Sequence, residues 1–149
     1  MEMSVYKDVN ILLVDDDHVD VMAIKGALEQ QKIANPIAVA RDGVEALEVL
    51  RGTKHRPMLA PPHLVLLDLN MPRMNGIEFL NELRTDKQLR RTIVFVLTTS
   101  NDDRDKVAAY DHNVAGYVLK SEVGENFIDL VKLLQDYKLV VQFPDAPKG

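Results

Sequence analysis

The chain is 149 residues long, 46% apolar and 28% charged, with a formal charge of −5, which fits one compact domain built on one core. It has no dense Lys/Arg block and only 5% aromatic residues, so a nucleic-acid footprint is not expected. The absence of cysteine excludes disulfides, thiolate metal sites and a Cys nucleophile; with no apolar leader and no run near the roughly 18 apolar residues of a membrane span, a soluble, cytoplasmic protein is expected.

Ile11 to Val14 is the first strand-length apolar run, and Val19, Met22, Ala23 and Ala27 follow at helical spacing. Ile37 to Ala40 is the second run; Asp42, before Gly43, is placed to cap a helix from about Val44 to Arg51 carrying Leu47 and Leu50. Gly52 to Pro62, with Lys54, His55 and Arg56 ahead of Pro57, Pro61 and Pro62, reads as a surface loop because proline fixes φ and has no N–H. Its charge could meet an acidic partner, but a solvated connector is the favoured reading. Leu64 to Leu67 is a third run, and Ile77, Leu80 and Leu83 mark the next helix. Ile93 to Leu97 is the fourth, before a helix through Val107 and Tyr110, and Tyr117 to Leu119 is the fifth. Phe127, Ile128, Val131, Leu134 and Tyr137 give the last helical spacing. Strand alternating with helix implies right-handed crossovers and a parallel sheet covered on both faces, a (βα)5 α/β fold.

The strand ends carry the chemistry. The first run ends in Asp15-Asp16-Asp17, the third in Asp68, the fourth in Thr98-Thr99-Ser100 and the fifth in Lys120. In a parallel sheet these ends share one edge, so the groups converge. Carboxylates brought together repel unless a cation sits among them. All-oxygen donors favour a hard ion such as Mg²⁺, with Asp15 or Asp16, Asp68 and the backbone carbonyl of Asn70 as ligands. A phosphoryl group on Asp68 would then meet the ion, Lys120, and the threonines Thr98 and Thr99, each oxygen facing a positive or donor group.

Taken singly, each signal has a plainer reading. Acids after a strand commonly cap the next helix, and Thr98 to Asn101 could be only a turn and cap. The four histidines, His18, His55, His63 and His112, sit at unmatched spacings and are given no chemical role.

Together the residues resemble the receiver domains of bacterial two-component response regulators across roughly Asn10 to Tyr137. The matching pieces are Ile11-Leu12-Leu13-Val14-Asp15-Asp16, Leu66-Leu67-Asp68-Leu69-Asn70-Met71-Pro72 with Asn75-Gly76, Val96-Leu97-Thr98, and Gly116-Tyr117-Val118-Leu119-Lys120. The resemblance implies a flavodoxin-like sheet of order 2-1-3-4-5. It makes Asp68 the phosphoacceptor from a histidine kinase and Asp15 and Asp16 the acidic pair around Mg²⁺, with Asn70 lending its carbonyl. Thr98 becomes the switch hydroxyl, Lys120 the phosphate contact, and Tyr117 the aromatic that moves with Thr98. In the bland alternative Tyr117 only packs.

Two departures stand out. Ser121 follows Lys120 where most receivers carry proline, which leaves the turn less constrained, and Thr99 replaces the small residue usual beside the switch threonine. The long loop before the third strand, the Thr99-Ser100 and Lys120-Ser121 pairs, and the tail Val140-Val141-Gln142-Phe143-Pro144 look like the small response regulators serving cyanobacterial phytochromes. That likeness implies a phytochrome kinase as donor and a homodimer through the fourth helix, fifth strand and fifth helix. The apolar tail would join the dimer or fold back on its own last helix. Residues 1–149 are read as a single receiver with a core of about 10–137, whose output runs by contact with a downstream protein, because the residues after 140 are too few for a DNA-recognition helix. The competing enzyme reading is a Mg²⁺-dependent phosphohydrolase, since Asp15-Asp16-Asp17-His18-Val19 resembles the Asp-x-Asp motif of haloacid-dehalogenase-like phosphatases. Asp15 would then be nucleophile and Asp17 acid/base. A flavodoxin-like cofactor binder is disfavoured, because three acids stand where a phosphate-binding glycine loop would be needed.

Overall fold

A computed structural model describes residues 9–30, 37–123 and 127–140, the last three of them and residue 128 without their side chains. The elements alternate as the periodicity requires. They are β1 (Asn10–Val14), α1 (His18–Gln30), β2 (Ile37–Ala40), α2 (Gly43–Arg51), β3 (His63–Leu67), α3 (Gly76–Thr85), β4 (Ile93–Thr98), α4 (Asp103–Asp111), β5 (Gly116–Leu119) and α5 (Ile128–Val140), with a 3₁₀ turn Lys120–Glu122 after β5. The strands are parallel in the order β2-β1-β3-β4-β5. The expected architecture and strand order are therefore observed.

Side-chain alternation along each strand divides the interior into two layers. Leu12, Val14, Val65, Leu67, Val94 and Val96 face one way, against Ala46, Leu47 and Leu50 of α2 and Phe79, Leu80 and Leu83 of α3. Ile11, Leu13, Leu64, Leu66, Phe95 and Leu97 face the other, against Val21, Ile24 and Leu28 of α1 and Leu130, Val131 and Leu134 of α5. Burial on both faces explains the uninterrupted apolar runs of β1, β3 and β4. Tyr137 stands edge-on to Phe95 with ring centroids 5.0 Å apart, tying α5 to β4.

The α1 stripe differs from the expected one. Val21, Ile24, Ala27 and Leu28 are buried, whereas Val19 is 74% and Met22 56% exposed. The helix carries apolar residues on two sides, so spacing alone offers two equally periodic stripes. The sheet selects the one with the larger β- and γ-branched side chains.

Gly52 to Pro62 forms the expected exposed connector, without regular structure until β3 begins at His63. His63 is buried at the start of β3, with its Nε2 2.6 Å from Leu59 O; burial lowers its pKa despite that bond. At the same sheet edge Arg84 donates to the carbonyls of His112 (2.6 Å), Arg90 (2.8 Å), Thr92 (2.8 Å) and Asn113 (3.1 Å), joining the ends of α3 and α4. Among the described residues no helix is long and apolar enough to cross a membrane. The apolar tail from 141 onward lies outside the described residues.

Candidate functional site

The site is made by strands that stop in register. Val14 pairs with Leu67 and Ala40, so Asp15 and Asp68 both step one residue beyond the ladder. Backbone bonds still hold them, from Asp15 N–H to Ala40 O and from Asp68 N–H to Val14 O, each 2.9 Å. Asp15, Asp68 and Thr98 are buried and Asp16 is exposed. One carboxylate oxygen from each of Asp15, Asp16 and Asp68 can be chosen so that all lie within 4.8 Å of one another.

The three consecutive acids divide their work. Asp17 Oδ1 accepts the N–H of Val19 (2.9 Å) and of Asp20 (3.3 Å), so it closes the first turn of α1. Asp17 thus has a capping role of its own, and nothing among the described residues favours the phosphohydrolase reading. Asp15 Oδ1 accepts Asp17 N–H at 2.8 Å. Asp15 Oδ2 is buried without an aligned hydrogen bond, although Lys120 Nζ lies 2.9 Å away as an ion pair. Burial raises the Asp15 pKa, an effect that Lys120 and the Asp17 N–H offset only in part and the Asp68 charge reinforces. An orphaned buried oxygen among three acids is the donor set a hard divalent cation takes.

Lys120 enters at the end of β5. Its ammonium lies 2.7 Å from Asp20 Oδ2, 2.9 Å from Asp15 Oδ2 and 3.6 Å from Asp68 Oδ2. Burial alone would lower its pKa, but the hydrogen bond to Asp20 and the close negative charges of Asp15 and Asp68 outweigh it, so the pKa is raised and the lysine stays cationic. Asp20 is absent from the sequence-based set. An acid in the first turn of a helix is ordinarily explained by the helix dipole, and only the closeness of α1 to the end of β5 reveals its partner.

Thr98 Oγ1 donates to Asp68 Oδ1 at 3.0 Å and accepts Ser100 N–H at 3.3 Å. Tyr117 hydroxyl donates to Ser100 O at 2.9 Å, and Ser100 Oγ donates to Asp105 Oδ2 at 2.5 Å. A continuous set of bonds thus runs from Asp68 through Thr98 and Ser100 to Tyr117 on β5 and Asp105 on α4. Thr99 is exposed. Asn70 N–H donates to Asp68 Oδ1 at 3.3 Å.

The loop after Asp68 is tightly seated. Asn75 caps α3 in a reciprocal box with Glu78, Gly76 N–H donates to Leu69 O at 3.0 Å, and Gly43 N–H donates to Met74 O at 2.9 Å. Arg73 Nε donates to Asp42 Oδ2 at 2.8 Å, and Asp42 also caps α2 through Glu45 N–H. The β3–α3 and β2–α2 loops are therefore joined at several points.

A family model described as the response regulator receiver domain matches residues 11–132. The response regulator Rcp1 of Synechocystis sp. is 36% identical over 125 residues, covering 84% of this chain and 83% of Rcp1. The probable methanogenesis regulatory protein FilR2 of Methanothrix harundinacea is 36% identical over 129 residues, 87% of this chain and 83% of FilR2. Among solved structures, the phosphorylated cyanobacterial phytochrome response regulator RcpA superposes with a TM-score of 0.82 at 34% identity, covering 91% of this chain and 98% of RcpA. The Mn²⁺-bound form of Rcp1 gives 0.80 at 32% identity, covering 91% and 99%.

Proposed function

This chain belongs to the response regulator receiver domain family, and from that membership we propose that it accepts a phosphoryl group on Asp68 from a phosphohistidine of a sensor histidine kinase. The support is one arrangement: Lys120 Nζ and Thr98 Oγ1 stand 3.6 Å and 3.0 Å from the Asp68 carboxylate, beside Asp15 and Asp16. In the transfer an Asp68 oxygen bonds to phosphorus as the phosphorus–nitrogen bond breaks, and the departing imidazole keeps the bonding pair and takes up a proton. Charge spreads over the peripheral phosphoryl oxygens. Lys120 presents a fixed cation to one of them and the Thr98 hydroxyl, turning from Asp68, donates to another.

Asp15, Asp16 and Asp68 with the Asn70 carbonyl would hold Mg²⁺, which when bound neutralises phosphoryl charge. The Mn²⁺-bound form of Rcp1 supports a divalent ion in this role. When Thr98 turns, Ser100 and through it Tyr117 and Asp105 lose their present geometry, and that coupling carries the signal from the sheet edge to α4 and β5. Thr99 would slow the approach of water to the phosphoryl group. The likeness to RcpA and Rcp1 points to a phytochrome as the kinase. Val107 and Tyr110 on α4 and Leu133 on α5 are exposed, and they suit a homodimer on the α4–β5–α5 face. Output passes to a further protein by contact, and the chain turns over no external substrate.

Incubation with a small acyl phosphate tests this reading: labelling is expected with Mg²⁺ and none with excess chelator. The cation should also stabilise the fold, by about 2.7 kcal/mol at a hundred times its dissociation constant. Thermal unfolding with and without Mg²⁺ reads that gain, and Asp15→Asn should remove most of it. A native midpoint that ignores Mg²⁺ would mean that the fold binds no cation, and a gain kept in Asp15→Asn would place the cation elsewhere.

A further inference from the structure

We propose that Asp20 is a positioning residue: its carboxylate, presented by α1, holds the Lys120 ammonium beside Asp68, so that the lysine is already placed when the phosphoryl group arrives. The proposal rests on the phosphoacceptor reading of Asp68. A lysine is a point charge on a flexible stem, and its position needs an anchor at the charged end. Here the backbone end lies where β5 passes into a short 3₁₀ turn with no side-chain cap. The ammonium end is fixed by carboxylates, and the Asp20 contact is the shortest, at 2.7 Å.

The three carboxylates on Lys120 are not equivalent. Asp15, at 2.9 Å, is not aligned as a hydrogen-bond acceptor and belongs to the acidic trio that would bind a cation. Asp68, at 3.6 Å, is the most distant and is the group that changes chemically. Asp20 stands apart from that trio, on a helix whose first turn is capped by Asp17 and whose inner face is buried through Val21 and Ile24. Of the three, it is the acceptor that neither belongs to the cation trio nor receives the phosphoryl group. The lysine side chain is only 9% exposed while that of Asp20 is 23% exposed, so Asp20 reaches in from the rim to a buried cation. A charge preset in this way needs no reorganisation as charge develops on the phosphoryl oxygens.

An acid this close could also act through its own field, without the lysine. A double-mutant cycle on the full chain separates the two. The rate of single phosphorylation by acetyl phosphate at saturating Mg²⁺ is measured for the native protein, Asp20→Ala, Asp20→Asn, Lys120→Ala and the Asp20→Ala/Lys120→Ala pair. Asp20→Ala is expected to slow the native protein about tenfold, yet to change the Lys120→Ala protein by less than about twofold. Asp20→Asn keeps an acceptor oxygen in place and should recover most of the native rate. Equal rates for native and Asp20→Ala, equal slowing in both backgrounds, or no recovery with asparagine would overturn the proposal. A native protein that takes up no phosphoryl group would bring down the phosphoacceptor reading as well, whereas a labelled native protein with a normal Asp20→Ala rate would leave that reading intact.

Discussion

Lys120→Ala is expected to lose about 3–5 kcal/mol of stability in the absence of a divalent cation, the usual cost of leaving a buried charge without its partner. The lysine is the cation common to Asp15, Asp20 and Asp68, and removing it leaves these acids facing one another. Domains of this size have about 5–15 kcal/mol in hand, so the fold should survive. Saturating Mg²⁺ should restore much of the loss. The pH dependence has a defined sign. Burial, with the Asp68 charge, holds the Asp15 pKa above its ordinary value, so between the unfolded and folded values the native state binds the extra proton. The Asp15 penalty is therefore absent below the ordinary carboxylate range and appears as pH rises through the raised folded value. The Lys120→Ala deficit should shrink on acidification accordingly. Denaturant titrations at two pH values, with and without Mg²⁺, read all of this. An unchanged midpoint would mean that Lys120 is not what compensates the acids, and a full signalling response in the variant would refute its role as phosphate contact.

Gly76→Ala is expected to destabilise the protein by about 1–3 kcal/mol, as overpacking does. Helix propensity predicts the opposite, because Gly76 is the first residue of α3 and alanine is the better helix former by up to about 1 kcal/mol. Packing decides the sign. A Cβ at Gly76 would sit 2.7 Å from Asp68 O and from Leu69 Cα, and 2.8 Å from Leu69 Cδ2. Two of these are backbone atoms of the segment carrying Asp68, so they cannot rotate away. Relief requires α3 or that segment to shift, and a displacement of about 1 Å at a reacting group can lower a rate on the order of a hundredfold. Parallel measurement of the unfolding midpoint and the phosphorylation rate tests both effects. A more stable Gly76→Ala protein with a native rate would show that contact with α3 does not locate Asp68.

The legible part of this molecule was the part in which one physical cause dominates. β1, β3 and β4 are buried on both faces, so their residues form apolar runs that end abruptly in Asp15, Asp68 and Thr98. The resemblance then supplied a strand order that periodicity cannot, and the sheet has it. The inward face of α1 was misplaced because Val19 and Met22 compete with Val21 and Ile24 for the core, and only contact with the sheet decides between them. Asp20 is not legible in the sequence for a related reason. Its partner is a hundred residues away, and nothing local distinguishes it from a solvated helix acid. Ser100 was visible as part of a turn, but its place between Thr98, Tyr117 and Asp105 depends on three elements meeting.

The most direct measurement is intact mass after incubation with Mg²⁺ and acetyl phosphate, run on the native chain beside Asp68→Asn. Asparagine keeps the shape of Asp68 and its acceptor oxygen for Thr98 but is no phosphoryl acceptor. One added phosphoryl group on the native chain and none on the variant is the predicted result. No adduct on either chain, or equal labelling of both, would contradict the assignment of Asp68 as the phosphoacceptor.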